Sequence, residues 1–121
     1  MQAVLRSLVT DWPNASESLE TFKPEDPEFF GFYVSAFIGP QDEPGTDMFT
    51  FFICSPGQLV RERIEKGFWF LHGVLLLTRW DYAVLHRAIA DLCAHTVGEN
   101  WDEVATKLSR YGIWEFEDWK E

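Results

Sequence analysis

The chain has 121 residues, 46% of them hydrophobic and 17% aromatic, with twenty acids against ten bases for a net charge of −10. That composition can bury one sizeable core and excludes a globally disordered chain. The charge argues against nucleic acid and anionic membrane surfaces as direct partners, because both demand a basic patch.

No apolar run reaches the ~18 residues of a membrane-spanning helix, and the N-terminus lacks the apolar core and cleavage site of a signal peptide. Two cysteines, Cys54 and Cys93, make neither a disulfide framework nor a metal-ligand spacing, so a cytoplasmic location is expected. The whole chain, 1–121, reads as one domain, without repeat or linker. Its charge is uneven: residues 11–47 hold nine acids and one base, residues 99–121 seven acids and three bases.

In chain order, the β-formers of residues 3–10 predict a first strand. A polar stretch with Pro13, Pro24 and Pro27 follows over residues 11–28, pinned to the core by Leu19 and Phe22. Residues 29–38 are almost wholly apolar and predict a strand buried on both faces. Pro44-Gly45 then marks the turn of an antiparallel hairpin completed by residues 48–54. Ser55, Pro56 and Gln58 form a helix start, and that helix is expected to run to about Lys66 with Leu59, Val60 and Ile64 as its apolar stripe. Residues 68–78 return as a strand.

Asp81 caps a second helix running to about Thr96, whose buried face is Tyr82, Leu85, Ile89, Leu92 and Cys93. Asn100 with Glu103 starts a third, ended by Gly112. The tail, residues 113–119, alternates apolar and acidic residues as an edge strand or extended segment. The expected fold class is α+β: an antiparallel sheet of about four to five strands with two to three helices packed on one face.

Catalytic patterns are scarce. His72, His86 and His95 lack metal-ligand spacing and read as solvated or core-satisfied histidines. Cys93 lies on a helix's apolar stripe and reads as core; Cys54, before a helix start, is the better reactive candidate, although a structural role outweighs it there too. No phosphate-binding glycine loop and no nucleophile elbow occurs. No catalytic residue, metal or cofactor is therefore assigned.

Two acidic features invite a binding reading. One comprises Glu25, Asp26 and Glu28, stiffened by flanking prolines, with Asp42, Glu43 and Asp47 in the hairpin loop. The other is the tail, where Trp114, Glu115 and Glu117 alternate ring and charge. The first reads equally as a solvated loop, the second as an edge strand packed on the sheet.

The runs AVLRSL, PEDPEFFGFYVSAFIGP, FFICSPGQL and GENWDEVATKLSRYGIWEFEDW resemble the immunity protein 8 family of bacterial polymorphic toxin systems, from Ala3 to about Trp119. The resemblance implies a small, non-catalytic cytoplasmic protein that binds a cognate toxin domain, commonly a nuclease delivered by contact-dependent or secretion systems. It transfers no site residue, because toxin-facing surfaces differ from pair to pair.

The leading expectation is thus a toxin-neutralising binding module whose partner is a basic protein domain, the module itself being a monomer or weak dimer. Two other classes stand beside it. One is a small enzyme or ligand-binding domain with an aromatic pocket, worked by Cys54 or His72. The other is an adaptor that self-associates through its Trp-rich tail.

Overall fold

Three long strands form the hydrogen-bonded centre of the molecule: β1 (Ala3–Thr10), β2 (Gly31–Pro40) and β3 (Asp47–Cys54). The computed structural model describes residues 1–10, 18–65 and 67–117. β2 pairs antiparallel with both neighbours, Val34 facing Phe51 and Ala36 facing Phe49 across the hairpin. Side chains alternate between faces along a strand, so Phe49, Phe51 and Ile53 enter one core while Phe52 and Cys54 enter another on the opposite face.

β1 contains a register shift between Leu5 and Ser7. Without it Leu5 and Leu8 would face opposite sides; the extra residue lets both pack on the main core. The displaced Arg6 donates to the carbonyls of Pro40 (2.7 Å) and Glu43 (2.9 Å), which braces the hairpin loop.

The other edge of β3 is shared. β4 (Val74–Leu76) runs parallel beside residues 52–54, and β5 (Ile113–Trp114) runs antiparallel beside residues 49–50. The fold is α+β with a five-stranded sheet, and the β3–β4 pair is its parallel element.

The helices begin where capping chemistry places them. α1 (Pro56–Gln58) is capped by Ser55 and continues as a π-helical turn over Leu59–Arg63. In α2 (Tyr82–Ala94) the Asp81 carboxylate accepts from the N–H groups of Ala83 and Val84; in α3 (Trp101–Leu108) Asn100 accepts from Glu103 N–H. α2 and α3 cover one sheet face with Leu85, Ile89, Cys93, Val104, Ala105 and Leu108. The α1 segment lies on the other face, where Leu59 joins Phe52 and Cys54. The helices are therefore divided between the faces, because β3 carries apolar side chains on both and each must be covered.

Three further differences from the sequence reading have local causes. The first helix is three α-helical residues and a π turn, and Val60 points to solvent. The strand expected over residues 68–78 shrinks to Val74–Leu76, since Gly73 turns the chain at φ +78°. The tail leaves the sheet after Trp114, where Glu117 N–H donates to the Trp114 carbonyl in a turn. Pro13, Lys66 and Trp119 lie outside the described residues. The described part of the polar segment, residues 18–28, is pinned as expected. Leu19 is buried, and Phe22 packs edge-on against Phe32 and Trp80, whose indole donates to the Phe22 carbonyl.

Gly73 sits at the start of β4 against Ile113 of β5. A Cβ there would lie 2.9 Å from Ile113 Cγ1, and the positive φ disfavours any L side chain. Gly73→Ala is expected to destabilise the fold by about 2 kcal/mol, measured by urea denaturation at unchanged slope.

Candidate partner-binding surface

The acidic residues do not form one patch. Glu25, Asp26 and Glu28 precede β2 and Asp42 and Glu43 follow it, so a ten-residue strand, about 30 Å of chain, separates them. At the first end the loop is ordered internally: Asp26 Oδ1 accepts from Glu28 N–H at 2.9 Å, and the guanidinium of Arg61 sits 4.4 Å over the Phe29 ring. Glu25, Asp26 and Glu28 all remain exposed. A cleft of about 620 Å³ opens beside them, walled by Phe22, Trp80 and Tyr82 with Glu20, Lys23 and Arg79 at its rim. Burial, and secondarily the charge of Glu20, raises the Tyr82 phenol above its ordinary pKa, so it stays protonated at neutral pH.

The second end brings together residues that are remote in sequence. β5 lies against β3, and Glu115 exchanges two bonds with Met48: its N–H donates to the Met48 carbonyl at 3.0 Å, and its carboxylate accepts from Met48 N–H at 3.1 Å. Asp47 Oδ2 accepts from two indoles, Trp101 Nε1 at 2.7 Å and Trp114 Nε1 at 3.0 Å. Its carboxylate thereby ties the start of β3 to α3 and β5. Trp114 stacks on Phe49 at 6.3 Å and meets Phe116 edge-on at 5.9 Å. Glu117 stands 3.9 Å from His72, whose Nε2 is 2.7 Å from the Ser109 carbonyl oxygen. Trp114 and Glu115 thus join Asp47 beside the hairpin that carries Asp42 and Glu43, and Glu117 follows them in the turn that faces His72.

One exposed surface departs from the strand expected there. Residues 68–71 read as the start of a strand, yet they lie outside the sheet with their side chains exposed, Phe68 at 64% and Phe70 at 86%. The two rings pack edge-on at 6.1 Å. The signals that foretold this are Gly67 before the run and His72-Gly73 after it, which interrupt any strand. Consecutive exposed aromatics of this kind mark interaction surfaces. The His72–Glu117 contact joins this run to the acidic tail.

The groups that would serve an enzyme are differently placed. Cys54 and Cys93 are both fully buried, and burial pushes the Cys93 thiol up to about 12. Its thiolate is therefore suppressed at neutral pH. A three-residue α1 also supplies little helix dipole to activate Cys54. His72 and His95 each direct a ring nitrogen at a backbone carbonyl, and His86 lies beside the Tyr82 ring. Among the described residues no three His, Cys, Asp or Glu side chains are grouped to hold a metal.

Two outcomes follow. In the folded protein at pH 8, neither thiol is expected to react with a disulfide reagent within the time that full labelling takes in denaturant; rapid labelling of Cys54 would restore it as a nucleophile. Asp47→Ala strands two indole donors and is expected to cost about 2–3 kcal/mol by denaturation, Asp47→Asn about 1 kcal/mol, each with a shift in tryptophan emission.

Comparison with curated proteins and with solved structures gives no significant match. The family model described as Immunity protein 8 matches residues 3–119, nearly the entire chain. The chain, with its α+β sheet and its acidic, aromatic hairpin end, belongs to the Immunity protein 8 family.

Proposed function

We propose that this protein is a cytoplasmic immunity protein that binds a cognate bacterial toxin domain as a monomer or weak dimer, neutralises it by occupying its surface, and catalyses no reaction of its own. Membership of an immunity-protein family over residues 3–119 carries the reading. The physical features agree with it. A net charge of −10 on 121 residues raises the encounter rate with a basic domain, such as a nuclease whose cleft must itself attract phosphates. The buried cysteines leave little for a covalent mechanism.

The contact surface we assign is the hairpin end: Asp42, Glu43, Glu115 and Glu117 supply charge, Asp47 and Trp114 form its braced floor, and the exposed aromatics of residues 68–71 lie alongside. The rings dominate the off-rate, since desolvated aromatics are the usual anchors of an interface, while rim carboxylates act on the on-rate. Glu25, Asp26 and Glu28 form a second acidic field at the far end of β2, which steers approach without sharing the same contact.

Co-expression with the toxin domain encoded by the adjoining reading frame tests the reading directly: cells survive and the two proteins co-purify. With the purified pair, the association rate is expected to fall at least about tenfold between low and high salt, because screening shortens the reach of exposed charges from roughly 30 Å at 0.01 M to roughly 3 Å at 1 M. A salt-independent rate removes the electrostatic part of the proposal.

A further inference from the structure

A cleft of about 420 Å³ lies between α3 and β5, lined by Asp47, Trp101, Asp102, Thr106, Trp114 and Phe116. Resting on the binding role proposed above, we propose that this cleft is the seat of an arginine side chain carried by the partner. Its two indole walls are held in place. Both N–H groups donate to the same oxygen, Asp47 Oδ2, at 2.7 and 3.0 Å, and Trp114 already stacks one face on Phe49, so what the indoles offer a ligand is the Trp101 ring and the remaining face of Trp114. An indole face is electron-rich and attracts a cation. Thr106 likewise spends its hydroxyl hydrogen inside α3, on the Asp102 carbonyl at 2.7 Å.

The charges point the same way. Two carboxylates, Asp47 and the exposed Asp102, line the cleft, and among the described residues neither is ion-paired. Lys107 of α3 is engaged with Glu103 and the Val97 carbonyl, and His72 with Glu117 and the Ser109 carbonyl. An anion is repelled by this lining, and a purely apolar anchor would cover carboxylates without satisfying them.

Between the two cationic side chains the geometry selects arginine. The cleft is far wider than a bare cation needs, and its parts are flat ring walls and two separated acceptors. A planar guanidinium stacks on an indole and carries five N–H donors in a fixed fork, enough to serve more than one carboxylate; a lysine ammonium is a compact, strongly hydrated point charge. The pre-organised rings lower the ordering cost of taking that one side chain.

The test uses the full-length protein, 15N-labelled, with N-acetyl-arginine amide as probe and N-acetyl-citrulline amide as its neutral isostere. Phe variants assign the indole resonances. The arginine probe is expected to shift the Trp101 and Trp114 Nε1–H signals saturably, with one dissociation constant on the order of millimolar, and to leave Trp80 unmoved. The citrulline probe should bind at least fivefold more weakly, and so should the arginine probe to Asp102→Asn, a substitution at an exposed site. Shifts that never saturate, that match at Trp80, or that are equal for the two probes overturn the inference.

A second arm uses the toxin domain of the adjoining reading frame. Asp102→Lys is expected to weaken its binding at least tenfold. Undiminished binding by Asp102→Lys, from a protein whose parent protects cells, sinks the arginine seat and leaves the immunity reading intact. Saturable, arginine-selective uptake in a protein that fails to protect supports the seat and sinks the immunity reading.

Discussion

β3 has to be covered on both faces and bonded along both edges. Phe49, Phe51 and Ile53 on one side and Phe52 and Cys54 on the other are all buried, so the strand cannot lie at an open surface. The buried backbone N–H and C=O groups along it must also find partners. β2 supplies them on one edge over the full length of β3. No single later segment does so on the other edge. β4 closes the end with residues 52–54, β5 the end with residues 49–50, and the chain between these strands builds both core helices.

From that division follows where the residues of the proposed contact surface meet. Because β5 must reach the start of β3, the tail is drawn to the hairpin; Trp114 comes to lie against Asp47 and Glu115 against Met48. α3 ends just before β5 and starts near Asp47, so Trp101 arrives at the same carboxylate. A single acid then organises three elements, and the acidic rim is left outside it. The same requirement fixes Gly73, because β4 and β5 adjoin along one edge of β3 and leave no room for a side chain against Ile113.

For a binding protein this is an economical arrangement. Exposed carboxylates cost little stability where they are solvated, since surface charges interact weakly through water, yet they still bias approach over a Debye length. In the proposed contact the rings carry the specific part, and those beside Asp47 are already immobilised by hydrogen bonds and stacking, so less freedom would be lost when a partner arrives. Membership of the Immunity protein 8 family implies such a protein partner.

Much of the local structure was legible from residues alone. The bounds of β1, the β2–β3 hairpin and the caps Ser55, Asp81 and Asn100 follow from propensity, turn residues and capping chemistry, all of which act within a few positions along the chain. The α+β class followed from their order, and the charge asymmetry from counting.

What only the tertiary structure decided is everything that depends on distant partners. Residues 68–71 look like part of a strand by composition and lie exposed outside the sheet, because β3 offers that segment only the short edge that β4 takes. Asp47 looks like one more loop acid and proves to be the acceptor for two tryptophans, 54 and 67 positions away. Periodicity reports which side of an element is apolar; it carries no information on which remote side chain will come to face it, and that choice sets where a partner can bind.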